Sequence, residues 1–177
     1  MNTTKRNHRL AVGGVIAALY VALTYAQEMI FPNSTSMAVQ FRLSEALTML
    51  CIFTPSAIPG LTIGCIFANL VSMGALPVDM IMGTFATFLA CVSMYKLRNI
   101  RFKGLPLLSA LMPAIFNGII IGLEIEIFFI DGPFNFVSFL TQAGFVALGE
   151  LVVCLTLGLA LFKALKNKYF EKYLNNI

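Results

Sequence analysis

FVSFLTQAGFVALGELVVCLTLGLALFKAL, residues Phe136–Leu165, holds only Glu150 and Lys163 as charges in 30 positions. About 20 apolar residues are enough for a helix to cross the ~30 Å hydrocarbon layer of a bilayer. This run exceeds that, and the rest of the chain follows its pattern. The 177 residues are 59% apolar and 11% charged, with a mean hydropathy of +0.87. A soluble domain carries about a quarter charged residues and just under half apolar ones. One soluble core of this length has no room for so many Phe, Leu and Ile, so disorder and an ordinary soluble enzyme are both excluded. The expected class is an all-α integral membrane protein.

Working outward, further apolar runs cover roughly residues 10–31, 41–53, 58–73, 80–95 and 105–129. Turn formers separate them: Pro32-Asn33-Ser34, Thr54-Pro55 to Pro59-Gly60, Gly74 to Pro77, and Asp131-Gly132-Pro133. Six transmembrane helices with short loops account for residues 1–177, with no linker to divide them, so a single transmembrane domain is expected. Lys5, Arg6 and Arg9 precede the first run as in a signal peptide. That run is long for a signal sequence and no small-x-small cleavage site leads into a soluble domain, so it reads as a retained span.

Orientation follows from the bases. Lys5, Arg6 and Arg9 open the chain; Lys96, Arg98, Arg101 and Lys103 share one loop; Lys163, Lys166, Lys168 and Lys172 lie at the end. Six spans put these segments on one side, and the positive-inside rule makes that side, with both termini, cytoplasmic. The formal charge of +4 therefore hides a split: +11 and −1 on the cytoplasmic segments, against +1 and −7 elsewhere. The bases set orientation and give no reason to expect nucleic acid. Arg42 alone lies outside the basic segments.

The run 41–53 is too short for a straight α-helix to cross at 1.5 Å per residue. Either its helix starts earlier, or residues 33–40 dip into a protein-lined cavity on the outer side, where irregular backbone is tolerated. Charges near the bilayer centre are costly and usually face the protein interior. Glu150 fits either a packing hydrogen bond or a binding role. Glu124 and Glu126 stand about 200° apart around a helix and cannot share a cavity; Glu124, nearer Asn117 and Gly122, is the better candidate. Asp79 suits a helix N-terminus or a ligand contact. Asn69 and Asn117, with Gln142 and Gln40 as weaker cases, suit helix bridging or ligand reading. Arg42 and Glu45 are three apart and can pair or bind, and Phe41 can stack on a planar ligand, though it is one of 16 Phe.

Gly14, Ala18, Ala22 and Ala26 form a small-residue stripe that lets another helix approach, from within the chain or from a separate subunit. Cys51, Cys65, Cys91 and Cys154 sit singly in apolar runs and read as small buried hydrophobes. No metal or cofactor is expected, and no GxxxxGK[ST], GxSxG or HExxH occurs.

Several stretches resemble the S components of energy-coupling factor (ECF) transporters, above all the queuosine-precursor transporter family, QueT. They are Ala17-Ala-Leu-Tyr-Val-Ala-Leu-Thr24, Val39-Gln-Phe-Arg-Leu-Ser-Glu-Ala-Leu47, Thr54-Pro-Ser-Ala-Ile-Pro-Gly60, Ile63-Gly-Cys-Ile-Phe-Ala-Asn69, Asp79 to Gly83, and Gly149-Glu150. The resemblance implies the six-helix S-component fold in the cell membrane. It further implies that the stripe docks on a transmembrane coupling subunit driven by two ATPase subunits, with substrate captured outside and released inside after the S component topples. The implied substrate is a 7-deazaguanine such as 7-aminomethyl-7-deazaguanine, 7-cyano-7-deazaguanine or queuine. Glu124 and Glu150 would then be its carboxylate partners and Asn69, Asn117 and Gln40 its amide readers. Phe41, Arg42, Glu45 and Asp79 complete the expected site. Another vitamin or purine as ligand, a membrane-embedded enzyme using Glu150, and a small channel remain alternatives.

Overall fold

Lys and Arg are good helix formers, so the first helix does not wait for the apolar run. Helix α1 (Thr3–Ile30) carries Lys5, Arg6 and Arg9 in its exposed first turns, starting seven residues before the expected residue 10. A computed structural model describes residues 3–32, 41–71 and 77–166. Within them the regular elements are helices: α1, a 3-10 helix (Leu43–Ile52), α2 (Ala57–Val71), α3 (Pro77–Leu97), α4 (Leu107–Ala110), α5 (Met112–Phe128), α6 (Phe136–Val153), a π turn (Cys154–Gly158) and α7 (Leu159–Leu165).

Four stretches are long and apolar enough to cross a bilayer: Thr3–Ile30, Pro77–Leu97, Leu107–Phe128 and Phe136–Leu165. Leu43–Ile52 and Ala57–Leu70 are apolar but shorter. Against the expected six spans, the described residues give four helices of spanning length and two shorter apolar ones. The short second run is a 3-10 helix, which rises about 2.0 Å per residue rather than 1.5 Å and so carries ten residues further. Its three-residue period aligns Glu45, Thr48 and Cys51 on one buried edge, and the Thr48 hydroxyl donates to the Glu45 carbonyl (2.6 Å). The segment expected to dip into a cavity, 33–40, lies outside the described residues.

Two long runs are interrupted for local reasons. Pro113 in the first turn of α5 has no N–H, and its ring would clash with a helical carbonyl four residues back, so α4 stops at Ala110 and α5 restarts at Met112. In the last run the π turn sets Gly158 against Met49 of the 3-10 helix. Asn135 caps α6, its side chain accepting from the amides of Val137 (2.9 Å) and Ser138 (3.3 Å). The basic loop turns back through Lys103 and Gly104, both at positive φ. Lys166 at the end of α7 donates to the Gly104 carbonyl (3.4 Å), and Arg101 lies over the Phe162 ring. Ala11 and Val12 of α1 line a groove with Leu161 and Leu165 of α7. The three basic segments therefore meet at one end of the molecule.

Small residues bring the helices together. A Cβ on Gly60 would lie 2.6 Å from the Gly13 carbonyl oxygen, where α2 meets α1, and one on Gly122 would lie 2.8 Å from Ala143, where α5 meets α6. The four cysteines are buried thiols, as expected of small hydrophobes. Gly60→Val is expected to lower the thermal midpoint in detergent, since overpacking costs about 1–3 kcal/mol. Gly144→Ala, which meets open space, should not lower it. Equal midpoints for Gly60→Val and the parent chain would contradict the close α1–α2 contact.

Candidate functional site

The polar side chains of the apolar runs converge where the 3-10 helix crosses between α1, α3 and α6. Helix α1 supplies the support. Its buried face repeats at helical spacing through Gly13, Ile16, Tyr20, Thr24 and Gln27. Gln27 clamps the entry to the 3-10 helix: its amide nitrogen donates to the Phe41 carbonyl and its oxygen accepts the Leu43 N–H (2.7 Å). Thr24 donates to the Ser44 hydroxyl (2.8 Å), and the Tyr20 hydroxyl donates to Glu45 Oε1 (2.5 Å). Both backbone neighbours of Arg42 are thereby fixed, and its direction with them.

Arg42 reaches towards α3. Its Nη1 lies 3.8 Å from where a Cβ on Gly83 would sit, and Asn69 Nδ2 lies 3.2 Å from the same point, so a larger residue at 83 would crowd both. The Arg42 charge acts on Glu45, Glu150 and Glu124. Arg42 and Glu45, which the sequence left open to pairing or binding, are near enough for their charges to interact, and Glu45 is held by Tyr20.

Glu45, Glu124 and Glu150 are 0%, 1% and 1% exposed. Glu150 accepts from Asn117 Nδ2 (3.1 Å), which joins α6 to α5. Its Oε2, Glu45 Oε2 and both oxygens of Glu124 have no hydrogen-bond partner. Glu124 lies against Asp79 of α3. Asn69 donates to the Asp79 carbonyl (3.3 Å) and faces the Cys65 sulfur (3.6 Å). Both asparagines therefore bridge helices, one of the two roles open to them from sequence. Asp79 sits in the first turn of α3 as expected.

Glu126 stands apart. It is buried and accepts the Asn135 N–H (2.9 Å), holding the turn from α5 to α6. The separation of Glu124 from Glu126 around the helix is as the spacing requires. Phe41 is 41% exposed, and Gln40 lies outside the described residues. Tyr20, Thr24 and Gln27 were not anticipated; their spacing of four and three in an apolar run was the available sign.

An acceptor left buried without a donor costs about 1–3 kcal/mol. The cluster offers several such oxygens and one guanidinium, so it suits a partner rich in N–H donors. On the opposite face of α1, Gly14, Ala18, Ala22 and Ala26 are all exposed. A Cβ on Gly14 would meet nothing within 4 Å, so no described residue packs against the stripe at that point.

The family model described as QueT transporter matches residues 10–167. A curated relative, the queuosine precursor transporter QueT of Lactococcus lactis subsp. cremoris (strain MG1363), is 33% identical over 142 residues, 77% of this chain and 79% of the relative. No solved structure gives a significant match. With a family match over most of its length and apolar helices fit to span a bilayer several times, this chain is a multi-pass membrane protein and a transporter rather than an enzyme, and it belongs to the QueT transporter family.

Proposed function

We propose that the chain is the substrate-capturing S component of an ATP-driven ECF importer that takes up a queuosine precursor, a 7-deazaguanine, from outside the cell. The observation that carries this reading is the buried set of unpartnered carboxyl oxygens on Glu45, Glu124 and Glu150 in a member of this transporter family. A guanine-like edge presents two adjacent N–H donors, which one carboxylate accepts in bidentate fashion. Glu150 and Glu124 take that role, Asn69, Asn117 and Gln40 read the remaining polar atoms, and Phe41 stacks on the planar ring. Arg42 and Glu45, set by Gln27 and Tyr20, fix the floor. The name of the Lactococcus relative supports the substrate class.

In this reading the chain is one transmembrane domain in the cell membrane. Its basic end, built from the start of α1, the 98–104 loop and the end of α7, faces the cytoplasm. The exposed stripe of α1 docks on the coupling subunit, which two ATPase subunits drive.

Equilibrium titration of the purified chain with 7-deazaguanines, set against guanine, riboflavin and folate, tests the substrate. Selective deazaguanine binding is expected, and Glu150→Gln should weaken it at least tenfold, about 1.4 kcal/mol. Preference for riboflavin or folate would reassign the ligand, and unchanged affinity would remove Glu150 from the site. For docking, Ala18→Trp and Ala22→Trp should each leave binding intact and abolish uptake by cells. Uptake that survives both changes would refute docking through the stripe.

A further inference from the structure

We propose that the groove between α1, the 3-10 helix and α7 seats one acyl chain of an anionic phospholipid, whose phosphate lies on the basic end of the molecule between Lys5 of α1 and Lys166 at the end of α7. This site is separate from the buried carboxyls and binds its lipid whatever the chain transports.

The shape and lining of the groove select a hydrocarbon chain. Its volume is about 410 Å³, and α1 lines it from Ala11 to Leu19, the 3-10 helix with Leu47 and Leu50, and α7 with Leu161 and Leu165. Thr54 is the one polar residue of this lining among the described residues, and its hydroxyl already accepts the Ser56 N–H (3.3 Å). Apolar surface of this kind takes hydrocarbon in preference to water. From Ala11 to Leu19 an α-helix rises about 12 Å. The hydrocarbon of one leaflet is about 15 Å deep, half of the whole layer. An acyl chain of a single leaflet runs that distance, whereas a partner helix crossing the bilayer needs a groove through both.

Charge complementarity identifies the headgroup. The Ala11 and Leu165 end of the groove opens on the basic end of the molecule. Lys5 and Arg9 precede Val12 and Ile16 by seven residues, two helical turns, and so stand on the side of α1 that lines the groove. Across it, Lys166 follows Leu165 directly and gives one of its three N–H donors to the Gly104 carbonyl (3.4 Å). The first turn of α1, the 98–104 loop and α7 contain no Asp or Glu to oppose these bases. A phosphate supplies the missing anion, and basic pockets between membrane helices suit acidic lipid headgroups. A choline headgroup carries its own cation and cancels that attraction.

Native mass spectrometry of the full chain in detergent decides the matter, with dioleoyl phosphatidylglycerol, dioleoyl phosphatidylcholine and glycerol 3-phosphate as probes. The two lipids share their acyl chains and differ in headgroup charge, while glycerol 3-phosphate carries the phosphate without the chains. One phosphatidylglycerol should stay bound, at least tenfold more tightly than phosphatidylcholine, and glycerol 3-phosphate should not displace it. Lys5, Lys166 and Val15 are exposed, so each can be replaced without disturbing the core. Lys5→Gln combined with Lys166→Gln should bring the two lipids within threefold of each other. Val15→Trp, which fills the groove from its rim, should weaken phosphatidylglycerol at least tenfold. Equal binding of the two lipids by the wild-type chain overturns the inference, as does a full preference in the double lysine variant. Unchanged binding to Val15→Trp removes the lipid from the groove, and displacement by glycerol 3-phosphate reduces the site to one for free phosphate; either result overturns the inference as well. Should a variant fail to fold, the wild-type ratio and the glycerol 3-phosphate competition still decide it.

Discussion

A carboxyl group carried into hydrocarbon must be compensated within the protein, and Glu45, Glu124 and Glu150 share one guanidinium, Arg42, to do it. Much of the structure is arranged around that shortage. Gln27 fixes the backbone on either side of Arg42, Tyr20 holds one oxygen of Glu45, and Gly83 leaves space for the guanidinium beside Asn69. The compensation stays incomplete, because oxygens of all three glutamates are without donors. In the proposed role that remaining demand is what a ligand meets, and the energy of burial becomes selectivity for N–H donors.

Packing sets how closely these groups can gather. Gly118 and Gly122 of α5 lie against Ala143 and Ala147 of α6. This approach brings Asn117 within 3.1 Å of Glu150 across the two helices. At the other side Gly13 faces Gly60 and Ala17 faces Gly64, which draws α1 onto α2 and places Tyr20 over Glu45. The small residues of α1 thus serve two faces. Gly13 and Ala17 are used within the chain, while Gly14, Ala18, Ala22 and Ala26 are exposed among the described residues, on the face proposed for docking.

Much of this was legible in the sequence, for a physical reason: a polar group in an apolar run is expensive, so Glu124, Glu150, Asn69 and Asn117 stand out. The grouping of the basic segments was legible too, since charge asymmetry follows the membrane. Element boundaries were less so. Hydropathy cannot see a 3-10 helix, and Leu43–Ile52 shows its three-residue period only through Glu45, Thr48 and Cys51. Nor does hydropathy mark the start of α1, because Lys and Arg continue a helix into the polar zone. Tyr20, Thr24 and Gln27 were overlooked for a related reason. Tyrosine and threonine blend into an apolar stretch, and their hydroxyls matter only once a buried acceptor such as Glu45 is placed opposite them.

The central claim is that these carboxyls form the ligand site, and a structure of the chain loaded with 7-aminomethyl-7-deazaguanine tests it most directly. The expected result places the ligand within hydrogen-bonding distance of Glu150 and Glu124. A ligand seated away from both carboxyls, with their oxygens still unpartnered, would contradict it.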